Sequence, residues 1–143
     1  MKRATLIALM AFICFMGLVN AQPPKVRKNV SEKTVVEVLY FHGKQRCPTC
    51  IAIGDNSLDV LNKEFTTQMK NKQVRFKEID ISTPEGEKIA DKYHVTWSSL
   101  YVNQWKNGKE KRNDMTSFGF ENARNNTKVF RAGLKNKIAQ LLK

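Results

Sequence analysis

The chain has 143 residues and a formal net charge of +12 at neutral pH, from 25 Lys and Arg against 13 Asp and Glu. This length fits one domain with a single core and leaves little room for a second. The sequence has no phosphate-binding glycine loop, no Ser-His-Asp elements at recognisable spacing and no flavin or nicotinamide fingerprint. Nothing in it therefore predicts a cofactor.

The N-terminus has the layout of a secretory signal. A short basic segment, Met1-Lys2-Arg3, precedes the apolar run 4–19, and Val19-Asn20-Ala21 ends that run with small or modest residues at the positions a signal peptidase reads. We predict a cleaved signal peptide over 1–21 and an exported chain, periplasmic or extracellular, without stable membrane insertion after cleavage. Retention as an anchor is the alternative, because the 16-residue run falls just short of a spanning helix of roughly 20 residues.

Residues 22–30 contain two prolines, three basic residues and almost no apolar side chains, which predicts a flexible basic leader. The folded domain is predicted to span 31–143. Removal of the signal also removes Cys14 and leaves Cys47 and Cys50 as the only thiols. A disulfide between two cysteines so near each other in sequence forms too small a loop to stabilise a fold appreciably. A chemical role therefore explains the pair better than a structural one.

A predicted buried strand leads directly into these two cysteines. Residues 34–41 are β-branched, aromatic and nearly all apolar, as expected of a strand covered on both faces of a sheet. A short loop separates this strand from Cys47-Pro48-Thr49-Cys50. Gly54, followed by Asp55-Asn56-Ser57, predicts a kink or a break into two helices. Apolar residues recur downstream at helical spacing, namely Ile51, Leu58, Leu61, Phe65 and Met69.

The next segment predicts a crossover of strand, helix and strand. A second strand over 74–81 is expected to run parallel to the first. Ser82 and Thr83 offer a cap and Pro84 a first-turn proline, which predicts a helix over 84–93. A third strand is expected over 97–105.

The end of the chain predicts a hairpin and a closing helix. Asn107-Gly108 is a strong turn signal between the third strand and a short, polar fourth strand near 109–113. A helix over 127–142 follows. Its apolar residues lie on one face, namely Phe130, Leu134, Ile138 and Leu141.

The spacing of the cysteines at a predicted helix start indicates reversible disulfide chemistry. The thiolate is the reactive form of cysteine, and the unpaired N–H groups and positive dipole end of a helix stabilise it. Cys47 is predicted to be the exposed nucleophile, and Cys50, shielded by the helix, the thiol that resolves the mixed disulfide. Lys44 and Arg46 precede the pair and are predicted to stabilise the thiolate further. An inert structural disulfide is the plainer alternative.

The predicted order β-α-β-α-β-β-α resembles the thioredoxin fold from about Val35 to the closing helix. That resemblance implies an α/β fold with a central mixed four-stranded sheet flanked by helices, and thiol–disulfide exchange as the activity. More narrowly, the chain is similar to exported thioredoxin-like proteins named as the ArsF-type subunit of a nitrophenyl-compound nitroreductase. The motifs that carry this narrower resemblance are Tyr40-Phe41-His42-Gly43 before an Arg-Cys-x-x-Cys, Ser98-Ser99-Leu100, Asp114-Met115-Thr116, Gly119-Phe120 and Ala123-Arg124.

Two positions depart from the thioredoxin pattern. The family has a cis-proline in the loop that faces the cysteines, whereas Thr96-Trp97-Ser98-Ser99-Leu100 has no proline, so we expect a trans loop. Trp97, Ser98 and Ser99 are the predicted substrate contacts in this loop. In the buried strand, Tyr40 stands where many members keep a carboxylate that moves a proton to or from the second cysteine. Water, Glu37 or another group would then carry that proton.

The sequence therefore predicts an exported thiol–disulfide oxidoreductase that acts on protein or small-molecule thiols and disulfides, in a direction that the residues leave open. Two alternatives remain: a dithiol module that binds a metal or metalloid, and an accessory electron-transfer subunit that works with a reductase partner. His42 and His94 could supply further ligands to such a metal, but the spacing matches no compact zinc pattern. No metal site is predicted.

The positive charge lies mainly in 25–33, 106–112 and the polar side of the closing helix. Nucleic-acid binding is not predicted, because the chain has no interleaved stacking motif of the kind that single-strand binders use. These segments are interpreted as solvated faces, and weak attraction to anionic lipid or to acidic partners is the alternative.

Overall fold

Strand β1 (Val35–His42) is at the centre of the sheet in the computed structural model, which describes residues 33–143. The sheet has four strands in the order β2-β1-β3-β4. The other strands are β2 (Val74–Asp80), β3 (Ser99–Lys106) and β4 (Lys109–Lys111). Strand β2 runs parallel to β1, and β3 runs antiparallel to both β1 and β4. The predicted signal and leader lie outside the described residues.

Helices cover both faces of the sheet because β1 is apolar on both of them. Val38 and Tyr40 of β1 pack in a core with side chains of α1 and α5, and Leu39 and Phe41 pack on the opposite face against α3. The mixed four-stranded sheet flanked by helices is therefore confirmed. The helices are α1 (Pro48–Glu64), α2 (Thr66–Lys70), α3 (Pro84–Tyr93), α4 (Thr116–Asn122) and α5 (Thr127–Leu141). Within 33–143, no helix has the length and apolar character that crossing a membrane requires.

Several elements begin and end close to the residues that the sequence indicates. Helix α3 has the predicted bounds, and Thr83 caps it by accepting a hydrogen bond from the Gly86 N–H at 3.1 Å. The hairpin between β3 and β4 turns at Asn107 and Gly108, which both have positive φ angles, 55° and 72°. Such angles in both central residues are typical of tight hairpin turns, so the Asn-Gly signal predicted this turn correctly.

The predicted kink or break at Gly54 is wrong. Helix α1 continues through Gly54 and ends at Glu64, and the break falls at Phe65, before α2. Gly54 is buried against β1, where a Cβ atom would lie 2.7 Å from Cε1 of Tyr40. Because glycine has no Cβ atom, α1 can pack closely against the Tyr40 ring at this position.

The predicted apolar face of this helix was also only partly correct. Leu61 is fully buried, but Ile51 and Leu58 are 44 % and 40 % exposed. Ile53 and Ser57 occupy the buried face instead. Apolar residues at helical spacing define one face of a helix, but whether that face is buried depends on where the sheet lies.

Two features in the C-terminal half differ from the prediction. Strand β3 begins at Ser99, so Trp97 precedes the strand and lies in the loop before it. Helix α4 was not predicted, whereas α2 lies within the segment that the apolar spacing up to Met69 predicted to be helical. Helix α4 is short, and contacts with β3 place its start: the Thr116 hydroxyl accepts a hydrogen bond from the Leu100 N–H at 3.1 Å. No periodic apolar pattern over so few residues could have indicated it.

Candidate functional site

The two cysteines lie where the loop after β1 enters helix α1. Cys47 is the N-cap residue of α1, and its sulfur accepts a hydrogen bond from the Cys50 N–H at 3.0 Å. Cys47 and Cys50 form a disulfide, with 5.0 Å between their Cα atoms. Pro48 occupies the first turn, where its missing N–H leaves no helical hydrogen bond unmade. This position at a helix N-terminus favours the thiolate when the pair is reduced.

The two sulfurs differ in their access to solvent. Cys47 is exposed, whereas Cys50 is buried, with 7 % of its surface accessible. An exposed first thiol and a shielded second one is the arrangement that attack by Cys47 and resolution by Cys50 require. The two roles themselves stay predictions.

Both cysteines line a shallow cavity of about 340 Å³. The loop before β3 forms its opposite wall with Trp97 and Ser98, and Phe120 of α4 joins them. Trp97 is 61 % exposed and stacks on Phe120, with 5.3 Å between ring centroids and 15° between ring planes. The cavity thus places two predicted substrate contacts beside the disulfide, together with an aromatic residue that sequence reasoning did not assign to the site.

The third predicted contact, Ser99, lies behind this wall. It is 4 % exposed at the start of β3, and its hydroxyl donates a hydrogen bond to the Trp97 carbonyl at 3.3 Å. Ser99 therefore supports the loop and does not line the cavity. Every peptide bond within 33–143 is trans, which includes the proline-free loop that carries Trp97.

Tyr40 lies beneath the disulfide and is completely buried. Its hydroxyl donates a hydrogen bond of 2.6 Å to the Cys50 carbonyl. Burial raises the pKa of Tyr40 to about 12, and the nearby Arg46 opposes that rise. The hydroxyl is therefore protonated at neutral pH and acts as a donor that fixes the first turn of α1. It cannot take up a proton as a carboxylate at this position would.

Glu37 does not reach the cysteines either. Its carboxylate lies on the opposite face of the sheet from Tyr40, where it accepts a hydrogen bond from the Trp105 indole at 2.9 Å and pairs with Lys77 at 2.9 Å. His42 lies five positions further along β1, a distance of roughly 16 Å at the usual rise of an extended strand. Glu37 is thus excluded as the group that moves the proton.

The buried Tyr40 hydroxyl predicts a loss of stability at alkaline pH. Its folded-state pKa of about 12 lies above the ordinary value of 10.0, so its stabilising contribution is complete below pH 10 and is lost as the pH rises towards 12. We expect the free energy of unfolding of the oxidised protein, measured in urea between pH 9 and 11, to fall less steeply with rising pH for Tyr40→Phe than for the wild type. Equal slopes would contradict this assignment, because the other tyrosines are common to both proteins.

The two cations before the cysteines have different surroundings. Lys44 is exposed in the loop. The Arg46 guanidinium pairs with Glu78 of β2 at 2.6 Å and approaches Nε2 of His42 at 2.8 Å. The predicted effect of Lys44 and Arg46 on the thiolate stays a prediction, but the Arg46 charge already has a carboxylate partner.

The two histidines do not converge with the cysteines on a metal centre. His42 is 5 % exposed, and its ring contacts Arg46 and the Gly43 carbonyl. His94 is exposed and ends α3 in a left-handed conformation with φ of 55°. In the part of the chain that the structure describes, no three His, Cys, Asp or Glu side chains are grouped so that they could hold a metal ion.

The solved structures that are similar to this chain include the following two. One is the solution structure of a thioredoxin from Thermus thermophilus, with 21 % sequence identity over 74 % of this chain and 72 % of that chain, and a TM-score of 0.47. The other is a malarial protein with 17 % identity over 64 % of this chain and 98 % of that one, and a TM-score of 0.40. No family model matches the chain, and no curated protein matches it.

The class of fold follows from the topology. A parallel β1-α1-β2 unit with Cys-x-x-Cys at the start of its helix, continued by α3, an antiparallel β3-β4 hairpin and a closing α5, makes up the thioredoxin-like α/β fold. The expected fold class is therefore confirmed. The narrower resemblance to the ArsF-type group stays a prediction.

Proposed function

We propose that this chain is an exported thiol–disulfide oxidoreductase that acts on protein or small-molecule thiols and disulfides. The observation that carries the proposal is the pair at the start of α1, in which exposed Cys47 is bonded to buried Cys50 at the edge of a cavity. Export is supported by the signal-like segment 1–21.

The chemistry is an exchange of two electrons. In the reducing direction, the Cys47 thiolate attacks one sulfur of a substrate disulfide, and the other substrate sulfur leaves as a thiolate that takes a proton from water. Cys50 then loses its proton and attacks the Cys47 sulfur of the mixed disulfide, which releases the second substrate thiol. The chain is left oxidised and the substrate reduced. The same steps in reverse oxidise a substrate dithiol.

The cavity supports a substrate pose next to Cys47. Trp97 and Ser98 form the wall opposite the cysteines, and the stacked Phe120 extends the apolar surface. A side chain beside the attacked disulfide could rest on the Trp97 ring, since large aromatic faces bind apolar groups with little loss of side-chain freedom. We therefore assign Trp97 and Ser98 to substrate contact and give Ser99 a supporting role behind them.

The proposal is tested by titrating the exported form, recovered from cells that express the full chain, against a glutathione redox buffer, and by measuring insulin reduction with dithiothreitol. We expect one reversible two-electron transition and catalytic turnover. Bound Zn²⁺ or arsenite at one equivalent per chain, with no turnover, would overturn the proposal in favour of a dithiol binding module. A mass that retains residues 1–21 would overturn the cleavage part of it.

A further inference from the structure

The residue directly before the nucleophile is held by two strands. Nη1 of Arg46 lies 2.6 Å from Oε1 of Glu78 in β2, and Nη2 lies 2.8 Å from Nε2 of His42 at the end of β1. The guanidinium is also 5.9 Å from the centroid of the Tyr40 ring. The guanidinium of Arg46, the residue that precedes Cys47 in the chain, is therefore held by side chains of both β1 and β2.

The hydrogen bonds of His42 indicate which of its ring nitrogens donates and which accepts. Its Nδ1 atom lies 2.9 Å from the Gly43 carbonyl, which can only accept, so Nδ1 carries the proton. A guanidinium can only donate, so Nε2 of His42 accepts from Arg46. Both ring nitrogens of His42 thus have a partner, Nδ1 as donor and Nε2 as acceptor. Glu78, whose carboxylate also lies 3.4 Å from the His42 ring, is the anion that compensates the Arg46 charge.

Few other charged groups face this corner of the described structure. Strand β2 adds Asp80, whose pKa is lowered mainly by hydrogen bonds from the side chain and the backbone N–H of Ser82. Helix α1 adds Asp55, which acts electrostatically on Tyr40. Lys44 is exposed in the loop. Arg46 is therefore outnumbered here by the carboxylates of Glu78, Asp80 and Asp55, although the chain as a whole carries a net charge of +12.

We propose that Glu78 is a positioning residue that tunes the redox pair: by holding the guanidinium of Arg46, it limits the positive charge that reaches the Cys47 sulfur. This inference rests on the proposed function, since it concerns the ease with which the same sulfur is ionised. A nearby cation stabilises a thiolate, and a carboxylate bound to that cation cancels much of the effect. The Cys47–Cys50 pair is therefore less oxidising than the neighbouring Lys44 and Arg46 alone would make it.

The direct test is Glu78→Gln, which keeps the size of the side chain and an acceptor oxygen but removes the charge. We expect the pKa of Cys47, measured from the pH dependence of alkylation of the reduced protein, to fall by about half a unit to one unit. In a glutathione buffer at a pH above the Cys47 pKa of the wild type, the equilibrium should move roughly threefold to tenfold towards the reduced protein. This corresponds to a rise in reduction potential of about 15 to 30 mV.

A matched control is Glu64→Gln. Glu64 forms an ion pair of the same type with Lys135, at 2.6 Å, but lies at the far end of α1. We expect this variant to match the wild type in both measurements. Its agreement would show that the loss of one surface carboxylate, and the accompanying change in net charge, does not move the pKa of the thiol.

The role of Arg46 is tested by Arg46→Met alone and combined with Glu78→Gln. Arg46→Met should raise the pKa of Cys47. In the Arg46→Met background, adding Glu78→Gln should change that pKa much less than it does in the wild type. Two results would overturn the inference: an unchanged pKa in Glu78→Gln, or an equal fall with and without Arg46. Failure of the proposed function would appear separately, as absent insulin reduction in the wild type, while alkylation still reports the pKa. Thermal melts of each oxidised variant check the fold.

Discussion

Replacing Cys47 by serine is expected to abolish disulfide reduction by this chain, and replacing Cys50 by serine is expected to trap it on its substrate. Cys47 is the exposed sulfur at the helix start, so without it no thiolate can attack. Cys50 is buried behind it, so its loss leaves attack intact and removes only the second displacement. The measurements are insulin reduction and mass spectrometry of the covalent adduct.

A control within the same turn is Thr49→Ser, which keeps both thiols and the first turn of α1. It should retain most of the wild-type turnover. Mixed disulfide should accumulate only in Cys50→Ser, and it should disappear when Cys47 is also replaced. Full activity in both single cysteine variants would contradict the assignment, because it would place the reacting group elsewhere.

Replacing Gly54 by alanine is expected to destabilise the protein by roughly 1–2 kcal/mol. The added Cβ would lie 2.7 Å from Cε1 of Tyr40, which is completely buried and tethered through its hydroxyl to the Cys50 carbonyl. Overpacking of this kind costs about 1–3 kcal/mol. The better helix propensity of alanine offsets up to about 1 kcal/mol of that. Urea unfolding of the oxidised protein measures the difference.

Two further variants separate the steric cause from a general effect on α1. Ser57 lies one turn further along, fully buried, and among the described residues its hydroxyl has no hydrogen-bond partner. Ser57→Ala should therefore leave stability equal or raise it by up to about 1 kcal/mol. In a Tyr40→Leu background, Gly54→Ala should lose its destabilising effect, as a double-mutant cycle on a direct contact requires. An undiminished effect there would contradict the proposed clash.

The site also has a consequence for proton transfer. Tyr40 holds its own proton at neutral pH, and Glu37 lies on the other face of the sheet. Of the carriers that the sequence left open, water is the one that the geometry supports, because Cys50 lines the cavity that opens beside Cys47. A proton would thus reach or leave the second sulfur through the same opening that admits the substrate.

The amino-acid sequence by itself determined the parts of this protein that depend on neighbouring residues. The apolar run of β1, the cap and proline that start α3, and the Asn107-Gly108 turn all have local physical causes, so the order of strands and helices could be predicted. The same holds for the two thiols at a helix start, since a strand, a short loop and a proline-containing first turn place them there.

Only the tertiary structure decided features that join distant parts of the chain. Gly54 breaks no helix because the Tyr40 ring occupies the space of its missing side chain. Phe120 joins the site by stacking on Trp97, and Arg46 is compensated by Glu78, 32 positions further along the chain. Periodicity and turn chemistry report on a few consecutive residues, whereas these contacts arise when sheet and helices pack, so no local pattern could reveal them.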